Sequence, residues 1–344
     1  MKALLFAENF ISPYDEGLKK VIYYLAKVLD KKLELLFISS QGHPEVRKNK
    51  SVITNKLLLN RDFFSNIKEF SPDITLYIPE ASCTFNSFVR AKILKLMNKK
   101  SKVVMLAVQH RNFYFFYRML LNFLRPDLLF LLSKTDVSFF EKKGIKVKVL
   151  PPAIEREKFH KVNLEYKMEL RKKYGLPLDK TIITHVGHIK KSRNLECFLE
   201  VQKIDSVQVV IVGSTTTQAD KELTQLLEKQ GVIVLNTYLA DIQEIYQLSD
   251  IYVFPVLKQD AAIEMPLSVL EALACNLPVI TTRFGGLVDY FKEDIGFRYF
   301  CTTEELVELI KRREGDEIHN DKKVEGFTWD RFTEEVITAC EELV

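Results

Sequence analysis

Short apolar runs alternate with amphipathic helical patterns along this chain, and the alternation occurs twice. In the first half the runs KALLFAE (2–8), LELLFIS (33–39), ITLYI (74–78), VVMLAV (103–108) and LLFLLS (128–133) are almost continuously apolar. That is the mark of strands buried on both faces. Between them lie stretches such as GLKKVIYYLAKVLD (17–30), whose Val21, Ile22, Leu25 and Leu29 recur at helical spacing. After VLPPAIEREKF (149–159) the pattern restarts with TIITHVG, VQVVIVG, VIVLN, DIYVFPV and PVITT. Strands joined by helices give parallel sheets with crossover connections. Two such sets, broken at Pro151 and Pro152, predict an α/β chain of two doubly wound domains. The ligand site of such a pair is the cleft at the C-terminal ends of the strands. A length of 344 residues agrees, since it exceeds what one core usually serves.

Composition narrows the class. With 47% apolar and 28% charged residues the chain is an ordinary folded protein. No apolar run reaches the roughly 18 to 20 residues of a membrane-spanning helix, and the N-terminus lacks the pattern of a signal peptide. Cys83, Cys197, Cys275, Cys301 and Cys340 are scattered, with no C-x-x-C, which suits reduced thiols in the cytoplasm and argues against structural zinc. The net charge of +4 conceals an asymmetry: residues 1–150 carry 26 Lys/Arg against 13 Asp/Glu, and the remainder 24 against 33. A basic half points to an anionic partner, although drift in surface composition produces the same imbalance.

Two stretches carry candidate chemistry. THVGHIKKSRNLECFLE (184–200) reads as a strand, a turn at Gly187, a basic loop with His188, Lys190 and Lys191, and a helix starting near Arg193. A helix N-terminus with a guanidinium favours a phosphate, and a solvated basic loop reads the same way. EMPLSVLEALACNLPVITT (264–282) places Glu264 and Glu271 seven residues apart around a helix start. That spacing puts both carboxylates on one side of a helix. Pro266 suits the first turn, and the helix runs to about Cys275. Glu271 lies among Leu267, Leu270 and Leu273, so it either borders a cleft or belongs to an ordinary polar face. Gly285 and Gly286 open a further helix.

These residues also carry a resemblance. LSVLEALACNLPVI resembles the second half of E-G-F-G-x-x-x-L-E-A-x-A-x-G-x-P-V-I, the signature of the family 4 retaining, nucleotide-sugar-dependent glycosyltransferases. YLADIQEIYQLSDIYVFPV (238–256) and HVGHIKKSRNLE (185–196) resemble two more of that family's motifs. VLPPAIEREKF, PYDEGLKKVIYYLAKVL and GFTWDRFTEEVITACEEL extend the likeness over nearly the whole chain. The resemblance implies the GT-B fold, two Rossmann-like domains facing a central cleft with a C-terminal helix crossing back to the first. The expected domains are 1–155 plus 328–344 for the acceptor and 156–327 for the donor. The implied donor residues are Gly187, His188, Lys190, Arg193, Tyr238, Leu239, Leu270 and Glu271, with Glu271 on the ribose hydroxyls and Arg193 and His188 on the pyrophosphate. Arg193, Glu264 and His110 are the implied catalytic groups, and Glu16, Gly17, Glu80 and His110 the acceptor-side ones.

The chain departs from the pattern at three positions. Ile263 stands where the family has its first Glu, with Glu264 one residue later. His188 replaces an Arg, and Glu16 replaces the first Gly of an acceptor-side loop. The expected reaction is transfer of a sugar from a nucleoside-diphosphate sugar to an acceptor hydroxyl, in surface polysaccharide or lipopolysaccharide assembly. The sequence has no D-x-D, so a metal-independent site is expected, with no cofactor beyond the co-substrate. The acceptor is expected to be a glycan or lipid-linked, and no nucleic acid is implied. An epimerase or phosphorylase of the same fold, or a decayed sugar-nucleotide-binding protein, are the rival readings. RNFYFFYRMLLNFLR (111–125) reads as one amphipathic helix with Arg111, Arg118, Asn122 and Arg125 on a face. That face either rests on the anionic inner membrane surface, making the protein peripheral, or is the solvated side of a core helix.

Overall fold

The computed structural model of the chain describes all residues except 15, 56, 59, 81, 110, 216 and 313–316, and of residues 115 and 116 the backbone alone. Two compact units emerge. The first comprises Met1–Pro152, Ile263–Met265 and Trp329–Val344, and the second Ala153–Ala262 and Pro266–Thr328.

The first unit is built on seven parallel strands: β1 (Lys2–Ala7), β2 (Glu34–Ser39), β3 (Asn49–Ser51), β4 (Ile74–Ile78), β5 (Lys102–Leu106), β6 (Leu128–Leu131) and β7 (Val147–Val149). Their order is β3-β2-β1-β4-β5-β6-β7. From β1 the chain winds outward one way and then the other. The strand order therefore reverses between β1 and β4, the position where such sheets open a crevice at their carboxyl ends. Phe6, Phe63, Tyr77, Phe88 and Phe140 fill one face of the sheet. The C-terminal helix Trp329–Glu341 belongs to this unit and packs on the helix Gly17–Lys32, with Trp329 stacked on Tyr24.

The second unit has six parallel strands, β8 (Thr181–Gly187), β9 (Val207–Gly213), β10 (Ile233–Leu235), β11 (Ile251–Phe254), β12 (Val279–Thr281) and β13 (Phe297–Tyr299), in the order β10-β9-β8-β11-β12-β13. Its order reverses between β8 and β11. The buried helix Leu267–Ala274 follows β11, capped by Pro266 at an extended backbone (φ −64°, ψ 112°). Proline lacks the N–H that a helix start leaves unpaired, so it costs nothing there. Asn276, at φ 58°, ends this segment in the left-handed region that Asn tolerates and turns the chain into β12.

Three local expectations are corrected. Arg193 does not open a helix: it closes a single 3-10 turn, Lys191–Arg193, and Asn194 follows at φ 56° before the helix Cys197–Gln202. Glu264 lies outside the helix that carries Glu271, in the three-residue stretch that joins the first unit, so the two carboxylates do not share a helical face. Residues 111–125 are not one helix. Only Phe115–Leu120 is α-helical, followed by a 3-10 turn at Leu121–Phe123. Arg111 instead bonds Gln109, Arg118 donates to the Phe113 carbonyl, and Arg125 donates to the carbonyls of Asn122 and Gly144.

Candidate functional site

In the second unit, the reversal point of the sheet gathers several of the expected residues. β8 ends at Gly187, and the 3-10 turn after it folds Arg193 inward until only 8% of it is exposed. Asn194, in its left-handed conformation, donates its amide to the Pro255 carbonyl at 3.2 Å and so ties this turn to the end of β11. Glu271, 3% exposed, accepts at its Oε2 from the Tyr246 hydroxyl at 2.6 Å. Burial, then the Glu271 carboxylate, drive the Tyr246 phenol well above its usual pKa, so it stays a donor. Tyr252, on β11, is fully buried. Burial raises its phenol most; Glu271 raises it further, and Arg193 opposes that. The carboxyl ends of β8 and β11 therefore carry a buried guanidinium on the turn after β8 and a buried carboxylate on the helix after β11. A fixed cation and a fixed carboxylate acceptor together suit a ligand that has both an anionic group and hydroxyls.

Around this pair, His188 is half-buried, Lys190 is exposed, and Leu270 is fully buried beside Glu271. Tyr238 is exposed and Leu239 packs partly on the core beneath β9 and β10. Sequence reasoning missed Tyr246, Tyr252 and His185. Tyr246 and Tyr252 are written into YQLSDIYVFPV, and what picks them out is a long-range contact that spacing cannot reveal.

In the first unit, Glu264 is 2% exposed, with its backbone N–H on the Val108 carbonyl at 2.7 Å and its Oε2 accepting from Ser133 Oγ at 2.9 Å. It thus sits at the carboxyl ends of β5 and β6. Its charge helps hold the Cys83 thiol well above its usual range, after burial itself. Gly17 opens the helix Gly17–Lys32, and a Cβ there would stand 2.6 Å from Ile263 Cδ1. The glycine makes room for the same isoleucine that displaces the family's first Glu. Glu16 precedes it as the helix cap without a side-chain cap bond. His110 lies outside the described residues.

Glu80 borders a cavity of about 290 Å³ at the reversal between β1 and β4, shared with Glu8, Asn9, Ser40, Asn55 and Arg90. Tyr77 and Arg90 both donate to Glu8 Oε1. Burial and then the nearby Glu8 raise the Glu80 carboxyl above its ordinary pKa. Among the described residues, no three His, Cys, Asp or Glu side chains converge as metal ligands do. No described helix is long and apolar enough to cross a membrane.

Two parallel sheets of seven and six strands, with the C-terminal helix returning to the first, define a two-domain GT-B fold. Residues 167–325 match the family model for glycosyl transferases group 1. Among curated relatives it is similar to the sulfoquinovosyl transferase SQD2 of Arabidopsis thaliana, 23% identical over 317 residues, which span 83% of this chain and 59% of that protein. It is also similar to the UDP-Gal:alpha-D-GlcNAc-diphosphoundecaprenol alpha-1,3-galactosyltransferase of Escherichia coli, 31% identical over 155 residues, 41% of this chain and 38% of that one. The chain thus aligns with less than two thirds of either relative's length. Among solved structures, Anabaena Alr3699/HepE in complex with UDP superposes with a TM-score of 0.78 at 14% identity, over 99% of this chain and 100% of that one.

Proposed function

We propose that the protein is a retaining glycosyltransferase that moves a sugar from a nucleoside-diphosphate sugar to an acceptor hydroxyl. The observation that carries this reading is the burial of Arg193 and Glu271 at the reversal point of the second sheet, Arg193 on the turn after β8 and Glu271 on the helix after β11. In this reading Glu271 accepts from the ribose hydroxyls, and Arg193, with His188 and Lys190, holds the pyrophosphate. Tyr238 and Leu239 lie beside the base. The bond from the sugar's anomeric carbon to the phosphate oxygen breaks, and its electron pair stays on the leaving diphosphate. A bond to the acceptor oxygen forms on the same face, and the acceptor proton passes to the departing phosphate. Negative charge grows on the pyrophosphate as the bond breaks, so a prepositioned guanidinium stabilises the transition state more than the ground state. Glu264, with His110, contacts the transferring sugar in this scheme. Solved relatives holding UDP and UDP-glucose support a UDP-sugar as the donor.

The first unit takes the acceptor, at the cavity beside Glu8 and Glu80 and near Glu16 and Gly17. Its carboxylates, carboxamides and hydroxyls suit a hydroxyl-rich sugar ring, because each hydroxyl of such a ring both donates and accepts. A lipid-linked glycan, of the kind named for the Escherichia coli relative, is the acceptor class we favour, in surface polysaccharide assembly. The exposed Tyr114, Met119 and Phe123, beside Arg118, then rest on an anionic membrane surface. The donor assignment is tested by Glu271→Gln, which is isosteric and keeps the fold. By calorimetry it loses roughly 1.5–3 kcal/mol of UDP affinity, as expected for a hydrogen bond to a charged group. Unchanged affinity would remove Glu271 from the nucleotide.

A further inference from the structure

We propose that His185 is a positioning residue for the Arg193 guanidinium. Its Nε2 is an acceptor kept for an N–H of Arg193, and it is taken up when a diphosphate engages the guanidinium's other donors. This rests on the reading of Arg193 as the pyrophosphate ligand.

His185 belongs to β8 and is fully buried, with its ring against Phe198, Tyr252 and Phe254. Its Nδ1 lies 3.0 Å from the Val253 carbonyl. A carbonyl only accepts, so Nδ1 carries the hydrogen and Nε2 is left as a bare lone pair. That Nε2 is buried and has no hydrogen-bond partner. Buried polar atoms in folded proteins are almost always satisfied, and an orphan points to a partner supplied in another state. The direction it faces identifies the partner. A Cβ on Gly187 would stand 3.1 Å from His185 Nε2 and 3.5 Å from Arg193 Nη1. Imidazole nitrogen and guanidinium thus share the space that the glycine leaves open at the end of the strand.

The protonation state fits. Burial, and then the charges of Arg193 and His188, lower the His185 pKa to about 3 against the opposing bond to Val253. The ring is neutral at any working pH and does not repel the guanidinium. A guanidinium presents five N–H donors in a rigid plane, and a diphosphate gripped bidentately uses two. A neutral acceptor behind it satisfies another and fixes the plane. Packing alone gives no reason for a polar ring in an aromatic pocket that a phenylalanine would fill.

The test is a double-mutant cycle on UDP affinity with His185→Phe, Arg193→Ala and the double variant of the full chain. His185→Phe should weaken UDP about tenfold when Arg193 is present, near one hydrogen bond to a charged group, and leave affinity unchanged in the Arg193→Ala background. His185→Gln, which still offers an amide donor and a carbonyl acceptor, should recover most of the loss. Full affinity for His185→Phe, or an equal loss in both backgrounds, overturns the proposal. Wild-type affinity for Arg193→Ala overturns instead the reading of Arg193 beneath it. Nitrogen NMR of wild-type protein labelled at histidine covers the case in which His185→Phe does not fold. UDP should then move the His185 Nε2 resonance as an acceptor gaining a hydrogen bond, and an unmoved resonance overturns the proposal.

Discussion

At the scale of single residues, the site depends on polar groups that the sheet buries and holds. Glu271 sits inside an almost wholly apolar helix, and its cost of burial is offset by the 2.6 Å bond from Tyr246. His185 is the more sensitive reporter, because its neutrality has a thermodynamic signature. Its folded pKa, about 3, lies below its ordinary value of 6.5. The unfolded chain therefore binds a proton that the native state refuses, and stability falls as pH drops from 6.5 towards 3. The slope for one such group starts at half of about 1.4 kcal/mol per pH unit at pH 6.5 and approaches that limit below it, so the wild type should lose roughly 1.6 kcal/mol from this residue between pH 6.5 and 5. Denaturant melts of wild type and His185→Phe at those two pH values measure it. The variant should lose less than the wild type by about that amount, and parallel losses would mean that the imidazole accepts a proton in the fold.

At the scale of elements, the segment after β5 has the sharpest consequence. Tyr114, Met119 and Phe123 are 80%, 57% and 72% exposed within one short helical stretch. Three large exposed apolar side chains within ten residues, with Arg118 among them in sequence, suit insertion into the boundary of an anionic bilayer. Protein should sediment with anionic vesicles at low salt and be released as salt rises, since the attraction fades within a Debye length of about 10 Å at 0.1 M. Replacing the three apolar residues with serine should abolish sedimentation and leave the melting temperature unchanged, because exposed side chains contribute little to the fold. A triple variant that still sediments removes this segment from the membrane. The same segment shows where sequence reading runs out. The strands were legible because buried parallel strands are apolar throughout, and Val21, Ile22, Leu25 and Leu29 are buried as their spacing predicts. The 111–125 pattern misled because arginines at spacings of seven, four and three look helical, although local carbonyls and Gln109 take their donors. The start at Arg193 was misplaced because nothing local announces that Asn194 adopts a left-handed backbone. Glu264 shows the same limit, because only the three-dimensional path puts residues 263–265 with the first unit.

At the scale of the whole molecule, the two units divide the chemistry in a way that can be read without knowing either substrate. Arg193, Glu271, Tyr246 and Tyr252 all come from Ala153–Ala262 and Pro266–Thr328, while the polar cavity of Glu8 and Glu80 comes from Met1–Pro152. A ligand stabilises the segments that it touches against local opening, and amide exchange resolves that protection along the chain. Saturating UDP should therefore slow exchange most in β8, the Lys191–Arg193 turn and the helix Leu267–Ala274, with a smaller effect on β1, β4 and the loops that follow them. An acceptor analogue should do the reverse. The helix Leu267–Ala274 separates the alternatives most clearly, since seven of its eight residues are already buried and only contact with Glu271 gives it reason to gain protection. Protection by UDP concentrated after β1 and β4 would place the nucleotide on the first unit, and the donor and acceptor roles assigned to the two units would have to be exchanged.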